Sequence, residues 1–241
     1  MKTHHPSLPA GLRLYAIGDI HGRVDLLTQL IRKIEEDDKA RSGKSRLLFL
    51  GDYIDRGLFS RQVIELLMQL EKKMKPAPLF LLGNHEQVMR EVLQGDDMLL
   101  LNWMHWGGRE TLLSYGVTPP AGENDTKAVQ AQLATQTPPE HQQFFSGLQS
   151  HVAFGDYFFC HAGVRPGVEL KDQSEQDLIW IRHDFLKHQG DFGKVIVHGH
   201  SISMQPEILE NRINIDTGAY ATGTLTALGL EGTDRWLIQT G

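Results

Sequence analysis

The sequence predicts an α/β protein, and three observations predict it. Short strand-like runs recur along the chain, at residues 13–17, 47–50, 79–82, 157–160 and 194–197. Each runs into a polar stretch that holds Asp, Asn or His. Segments with apolar residues at helical spacing separate the first three runs. In α/β proteins the loop after a strand is where chemistry is placed.

Arg13-Leu14-Tyr15-Ala16-Ile17 reads as the first strand and leads into Gly18-Asp19-Ile20-His21-Gly22. Asp19 and His21 are two apart on an extended segment, so they face one side and can reach one ion. A polar turn with a solvent-facing His is the competing reading. Val24, Leu27, Leu30, Ile31 and Ile34 then mark an amphipathic helix to about Arg41. Leu47-Leu48-Phe49-Leu50 reads as a buried strand. It delivers Gly51-Asp52-Tyr53-Ile54-Asp55-Arg56-Gly57, two carboxylates and a guanidinium beside a glycine. Asp52 is expected to bridge two metal ions, and Asp55 and Arg56 to serve a phosphate. The alternative is an acidic turn with a local Asp–Arg pair.

A second helix over Gln62–Lys75 ends near Pro76 and Pro78. Leu79–Leu82 runs into Gly83-Asn84-His85-Glu86. The Asn84 carbonyl is a hard oxygen donor, and His85 beside it could give a proton. The same residues read as a helix start, with Asn84 as N-cap and Glu86 in the first turn, and both readings are compatible. Residues 88–150 read as an insertion between strands. Its apolar stretch Met98–Trp106 is expected to be helical, as core or as the wall of a groove. Its Thr118–Pro139 stretch, rich in Pro, Thr, Ala and Gln, is expected to hold a short helix.

Residues 151–160 read as a hairpin about Gly155-Asp156, delivering His161-Ala162-Gly163. His161 is a ligand candidate or a satisfied buried His, and Cys160 faces a core. Arg182 could pair bidentately with a phosphate, although spacing alone favours a surface salt bridge. Lys194–Val197 leads to His198-Gly199-His200, two histidines of which one or both could bind a metal. Arg212–Asp216, Gly223–Leu230 and Arg235–Gln239 read as an antiparallel C-terminal set.

Composition narrows the class. The 241 residues are 40% hydrophobic with a net charge of −6, so nothing draws the chain to nucleic acid or an anionic membrane in bulk. One domain over residues 1–241 is expected, carrying the 88–150 insertion. The single cysteine excludes an intramolecular disulfide and suits a reducing compartment. Met1–Gly11 does not read as a signal peptide, and no apolar run nears the roughly 18 residues that span a bilayer. A cytoplasmic protein is expected, with no membrane or nucleic-acid partner. Oligomeric state is not legible.

Asp19, His21, Asp52, Asn84, His85, His161 and His200 all follow strand-like runs, and no thiolate is among them. That set suits Mn²⁺, Fe or Zn²⁺ with open coordination positions, not a closed structural zinc site.

The blocks Gly18-Asp19-Ile20-His21-Gly22, Gly51–Gly57, Gly83-Asn84-His85-Glu86, His161-Ala162-Gly163 and Gly199-His200 resemble the signature of the metallophosphoesterases. Gly-Asp-Tyr-Ile-Asp-Arg-Gly with Gly-Asn-His-Glu is similar to the phosphoprotein phosphatase branch of that calcineurin-like superfamily. The resemblance implies two packed mixed β-sheets flanked by helices, in four layers. It implies that Asp19, His21 and Asp52 hold one divalent ion, and Asp52, Asn84, His161 and His200 a second, most simply Mn²⁺. It assigns His85 as general acid oriented by Asp55, and Arg56 and Arg182 as ligands of the phosphoryl oxygens. Arg182 rests on a shorter match, a Trp-x-Arg segment. The register selects His200, not His198. Where the wider superfamily carries a second His two residues on, this chain has Ile202, so the first metal is expected to have fewer protein ligands. The implied activity is phosphomonoester hydrolysis by a Ser/Thr protein phosphatase, with a phosphoprotein or small phosphoester as substrate. Two rivals are symmetrical diadenosine tetraphosphatase, with Trp103, Trp106 and Arg109 as a conceivable rim, and a metal-binding regulatory protein that has lost catalysis.

Overall fold

The structure is a computed structural model that describes residues 5–41 and 43–241. His4, part of the N-terminal stretch read above, lies outside the described residues.

Alternating burial builds the layers. Strands β1 (Arg13–Ile17), β2 (Ser45–Phe49) and β3 (Leu79–Phe80) run parallel. Helices α1 (Val24–Lys39) and α2 (Ser60–Lys73) connect them. The hairpin of β9 (Thr226–Glu231) and β10 (Asp234–Gln239) completes this sheet, in the order β10-β9-β1-β2-β3. The second sheet holds β4 (His151–Phe154), β5 (Tyr157–Cys160), β6 (Val195–His198), β7 (Glu207–Ile208) and β8 (Arg212–Asn214). Its order is β4-β5-β6-β8-β7, with β5, β6 and β8 parallel.

Because side chains alternate along a strand, each sheet buries two faces. Leu14, Ala16, Leu48 and Leu50 meet Tyr157, Phe159, Val197 and Ile213 in one core between the sheets. The opposite residues Tyr15, Ile17, Leu47 and Phe49 pack under α1 and α2. On the far side, Phe158, Cys160 and Ile196 pack under α8 (Glu175–Trp180) and α9 (His183–Leu186). The result is the helix–sheet–sheet–helix layering expected from the sequence. Each fully buried Leu or Phe contributes roughly 1.5–3 kcal/mol to it.

Between β3 and β4 the chain is mostly helical: α3 (Asn84–Leu93), α4 (Leu99–Trp103), a kinked segment Met104–Gly108 that turns at Gly107, α5 (Arg109–Ser114), α6 (Thr126–Gln136) and α7 (Pro139–Ser146). In the apolar stretch Leu100 and Trp103 are buried core, while Met98 and Trp106 are exposed.

Two expectations are corrected. Arg212–Asp216 does not join the antiparallel C-terminal strands; β8 pairs in parallel with β6 in the other sheet. A strand's own pattern shows which faces are buried but not which neighbour supplies its hydrogen bonds, and Ile213 and Ile215 fill the inter-sheet core from that position. Asn84 is not an N-cap. Gly83 takes the cap position with extended backbone, and Glu86 reaches back to accept its N–H at 3.1 Å. The Asn84 side chain is thereby left to turn elsewhere.

Candidate metal centre

The parallel strands of both sheets end along one edge of the molecule, and each end carries a polar side chain to the same place. β1 leads to Asp19 and His21, β2 to Asp52, Asp55 and Arg56, and β3 to Asn84 and His85. From the second sheet, β5 leads to His161, β6 to His200 and β8 to Asp216. The turns that do this are sharp. His21, Asp52, Asp55, Arg56 and His200 have φ of 45°, 52°, 72°, 65° and 63°, and among the described residues no other non-glycine has a positive φ. A left-handed non-glycine costs on the order of 1–3 kcal/mol, so the packed sheets hold these loops against their own preference.

Asp52 is the centre. Its Oδ2 lies 3.4 Å from His21 Nε2 and 3.7 Å from His85 Nε2, and its Oδ1 lies 3.3 Å from His161 Nε2. Two groups of potential ligand atoms share it, His21–Asp52–His85 and Asp52–His161–His200. Beside the second group, Asn84 Oδ1 is 2.9 Å from His200 Nδ1 and 3.0 Å from His161 Nε2. Those two ring nitrogens are 3.2 Å apart.

Outer contacts set which ring nitrogen faces inward. His21 Nδ1 lies 2.8 Å from the Ile54 carbonyl and His161 Nδ1 3.0 Å from that of Leu50. A carbonyl only accepts, so each Nδ1 carries a proton and each Nε2 is the nitrogen that faces the cluster. Burial pushes the His21 imidazole well below its ordinary value and that of His200 to about 2, so both stay neutral. Burial would raise the Asp52 carboxyl, but His161 and His85 hold it well below the carboxylate range. Asp19 is raised well above that range by burial, and the nearby Asp216 and Asp52 carboxylates add to it.

These residues fit divalent cations. Asp19 Oδ2 accepts the His200 N–H at 3.0 Å, whereas Asp19 Oδ1 is buried with no hydrogen-bond partner. An orphaned carboxylate oxygen beside further buried carboxylates and neutral imidazoles is costly in a protein alone and is satisfied by a cation. The donors are oxygen and imidazole nitrogen without sulfur; Cys160 is buried in the far core.

His85 faces Asp52 on one side and Asp55 on the other, with Nδ1 2.5 Å from Asp55 Oδ2. The same oxygen accepts Trp103 Nε1–H at 2.6 Å, and Asp55 Oδ1 accepts the Thr111 hydroxyl at 2.6 Å. Burial lowers the His85 pKa, but Asp52 and Asp55 together raise it above the ordinary value. Arg56 places Nη1 3.0 Å from His21 Nε2 and Nη2 3.2 Å from His85 Nε2. Its guanidinium lies over the Tyr220 ring at 4.7 Å. Among the described residues Arg182 is in no salt bridge; its Nε donates to His200 Nε2 at 2.8 Å. His198 turns away, edge-on to Phe185 at 4.9 Å and with Nδ1 3.0 Å from the Gly199 carbonyl.

The structure thus brings Asp19, His21, Asp52, Asp55, Arg56, Asn84, His85, His161, Arg182 and His200 to one locality and leaves His198 outside it. Sequence reasoning missed several neighbours. Glu86 is fully buried, and besides Gly83 it accepts the N–H groups of Asp52 at 2.8 Å, Tyr53 at 2.8 Å and Ile54 at 3.2 Å, tying the β2 loop to the start of α3. Its place in Gly-Asn-His-Glu was visible, but a first-turn Glu reads as solvent-exposed. Thr111, Asp216 and Tyr220 carried no local signal, and Trp103 was read as core, groove wall or rim, not as a partner of Asp55.

Comparison with known proteins agrees with this geometry. Residues 12–217 match the family model of calcineurin-like phosphoesterases. The asymmetrical bis(5′-nucleosyl)-tetraphosphatase PrpE of Oceanobacillus iheyensis is 27% identical, over 90% of this chain and 88% of that protein. The protein of the same name from Anoxybacillus flavithermus is 28% identical, over 88% of each. Among solved structures, a protein assigned as a diadenosine tetraphosphatase superposes with a TM-score of 0.65 at 18% identity, covering 96% of this chain and 98% of that one. A Saccharomyces cerevisiae serine/threonine phosphatase does so at 0.57 and 16% identity, covering 98% and 84%. These two likenesses bear on the fold alone. With the family model spanning every strand-end loop of the cluster, the chain belongs to the calcineurin-like phosphoesterases and is a metal-dependent phosphoesterase.

Proposed function

We propose that the chain hydrolyses a phosphoanhydride bond of dinucleoside tetraphosphates. Asp19, His21 and Asp52 would hold one divalent ion, and Asp52, Asn84, His161 and His200 the other, with Mn²⁺, Fe or Zn²⁺ suited to the donor set. The observation that carries the dinuclear reading is Asp52, whose two oxygens face different imidazoles, His21 and His161. Bound divalent cations supply Lewis acidity and a water that ionises near neutral pH.

The chain's own residues do the rest. Arg56, braced by Tyr220, and Arg182 are placed to hold phosphoryl oxygens and to stabilise charge that grows on them. His85, set by Asp55, is placed to give a proton to the leaving oxygen. In the reaction, the oxygen of water bonds to phosphorus, one P–O–P bond breaks, and the departing phosphate keeps the electron pair. Residues 88–150 are read as an insertion in a single domain, supported by Trp103 and Thr111, which reach from it to Asp55.

The nucleotide reading draws its support from the relatives named as tetraphosphatases, matched over most of their length. Those names carry the word asymmetrical, so cleavage to a nucleoside triphosphate and a monophosphate is preferred here to the symmetrical cleavage considered from sequence. The Ser/Thr phosphatase reading keeps only the motif resemblance. The test is turnover of diadenosine tetraphosphate and of a phosphoserine peptide side by side, with Mn²⁺ supplied and products separated. ATP with AMP is the expected product pair. Turnover of the peptide with the dinucleotide left intact would reverse the assignment.

A further inference from the structure

We propose that Trp106, standing against Trp180 at the mouth of the metal centre, is the stacking platform for a nucleobase of the substrate. The proposal rests on the nucleotide reading above and deepens it.

Trp106 is out of keeping with its surroundings. Leu100 and Trp103 in the same helical stretch are 0% exposed, whereas Trp106 is 40% exposed. An indole left in water forgoes much of the stabilisation that burying an aromatic provides. Its position gives that exposure a use. The Trp106 and Trp180 rings meet at 5.9 Å and 68°, and Trp180 meets the imidazole of His200 at 6.4 Å and 79°. Two ring contacts therefore lead from the exposed indole to a candidate metal ligand. Arg182, two residues beyond Trp180, donates to that same His200. A base on Trp106 would leave its phosphates beside Arg182 and the metal centre.

The ring that backs the platform is held by hydrogen bonds. Trp180 donates its indole N–H to Gln87 Oε1 at 2.6 Å, and Gln87 in turn donates to Glu91 at 3.0 Å. Trp106 sits at the kink over Met104–Gly108, where Gly107 has φ 103° and its carbonyl accepts the Arg56 N–H at 2.9 Å. One turn thus presents the indole and holds the backbone of a phosphate-binding candidate. A surface ordered before the ligand arrives spares the ligand that entropy cost. Stacking reads the π-face that every base has, so the platform tolerates different bases.

The competing role for Trp106 is packing alone, joining the helical region to α8. Selectivity separates the two. Diadenosine tetraphosphate and inorganic tripolyphosphate both present a phosphoanhydride, but only the first carries bases. In Trp106→Ala, the ratio of kcat/KM for the dinucleotide to kcat/KM for tripolyphosphate is expected to fall about tenfold, mainly through KM for the dinucleotide. Trp106→Phe should restore most of the ratio. AMP should quench the tryptophan fluorescence of the wild type more than inorganic phosphate does, and the difference should vanish in Trp106→Phe. An unchanged ratio in Trp106→Ala, with the wild type active on the dinucleotide, overturns the platform and leaves the nucleotide reading intact. Equal losses on both substrates assign Trp106 to packing and also overturn it. A wild type that cleaves tripolyphosphate but not the dinucleotide overturns the nucleotide reading itself.

Discussion

His85 and Asp55 form a pair whose worth depends on the leaving group. Phenolate, like a tyrosine side chain, has a conjugate acid near pKa 10 and leaves better when protonated, whereas p-nitrophenolate leaves unaided. His85→Asn is therefore expected to lower kcat on phenyl phosphate by about 10²–10⁴-fold and on p-nitrophenyl phosphate by far less, at unchanged metal content. Asp55→Asn should act in the same direction more weakly. A uniform loss across both esters would assign His85 to phosphate binding instead. At Gly83 the question is room. A Cβ there would run into Asp52 Oδ1 and the Asp52 backbone N–H, with Glu86 Oε2 2.6 Å away. Gly83→Ala is expected to bind less than the wild-type complement of metal, because it displaces the one carboxylate shared by both ligand groups. Elemental analysis of the purified variant checks this, and full occupancy would show that Asp52 tolerates the shift.

At the scale of elements, the helices between β3 and β4 are part of the centre, since Trp103 of α4 and Thr111 of α5 both end on Asp55. How those helices hold together has a pH signature. The Tyr115 hydroxyl, just past α5, meets His141 Nδ1 of α7 at 2.8 Å, and burial lowers the His141 pKa. The unfolded chain then binds a proton that the folded chain refuses. Stability from this group is present above the unfolded value near 6.5 and is lost as pH falls toward the lower folded value. His141→Gln is expected to flatten the decline of Tm between about pH 7 and pH 5. A decline as steep as the wild type's would place the responsible proton on another group.

Across the whole molecule, two sheets press their strand ends together and crowd Asp19, Asp52 and Asp216 into a buried cluster whose loops hold five left-handed non-glycine residues. Cations that bind only the folded state offset that repulsion and strain. At a concentration about a hundred times Kd they add about 2.7 kcal/mol. For a chain of this size that corresponds to a rise in Tm of roughly 5–10 °C. Thermal unfolding with EDTA and with increasing Mn²⁺ is expected to show that rise, dependent on metal concentration. A Tm indifferent to both would mean the cluster is stable without cations. Among the described residues no helix is long and apolar enough to cross a membrane.

What the sequence determined by itself was local. Each strand-like run ends within a few residues of the Asp, Asn or His it delivers, so strand, turn and candidate ligand were legible together, as at Leu47–Asp52 and Val195–His200. The α/β class followed from the same runs and the helices between them. What only the tertiary structure decided joins residues far apart in the chain. Trp103 and Thr111 reach Asp55 across 48 and 56 positions, and Trp180 meets Trp106 across the helical region. Glu86 is the first-turn acid that the sequence suggests, but only the fold lays the β2 loop over it with three N–H groups to satisfy. Strand β8 could not be assigned to its sheet, because a five-residue apolar pattern encodes burial but not a partner. Spacing allowed both His198 and His200, and only the family resemblance selected His200; in the fold the φ of 63° at His200 turns it toward Asn84 while His198 stays under Phe185.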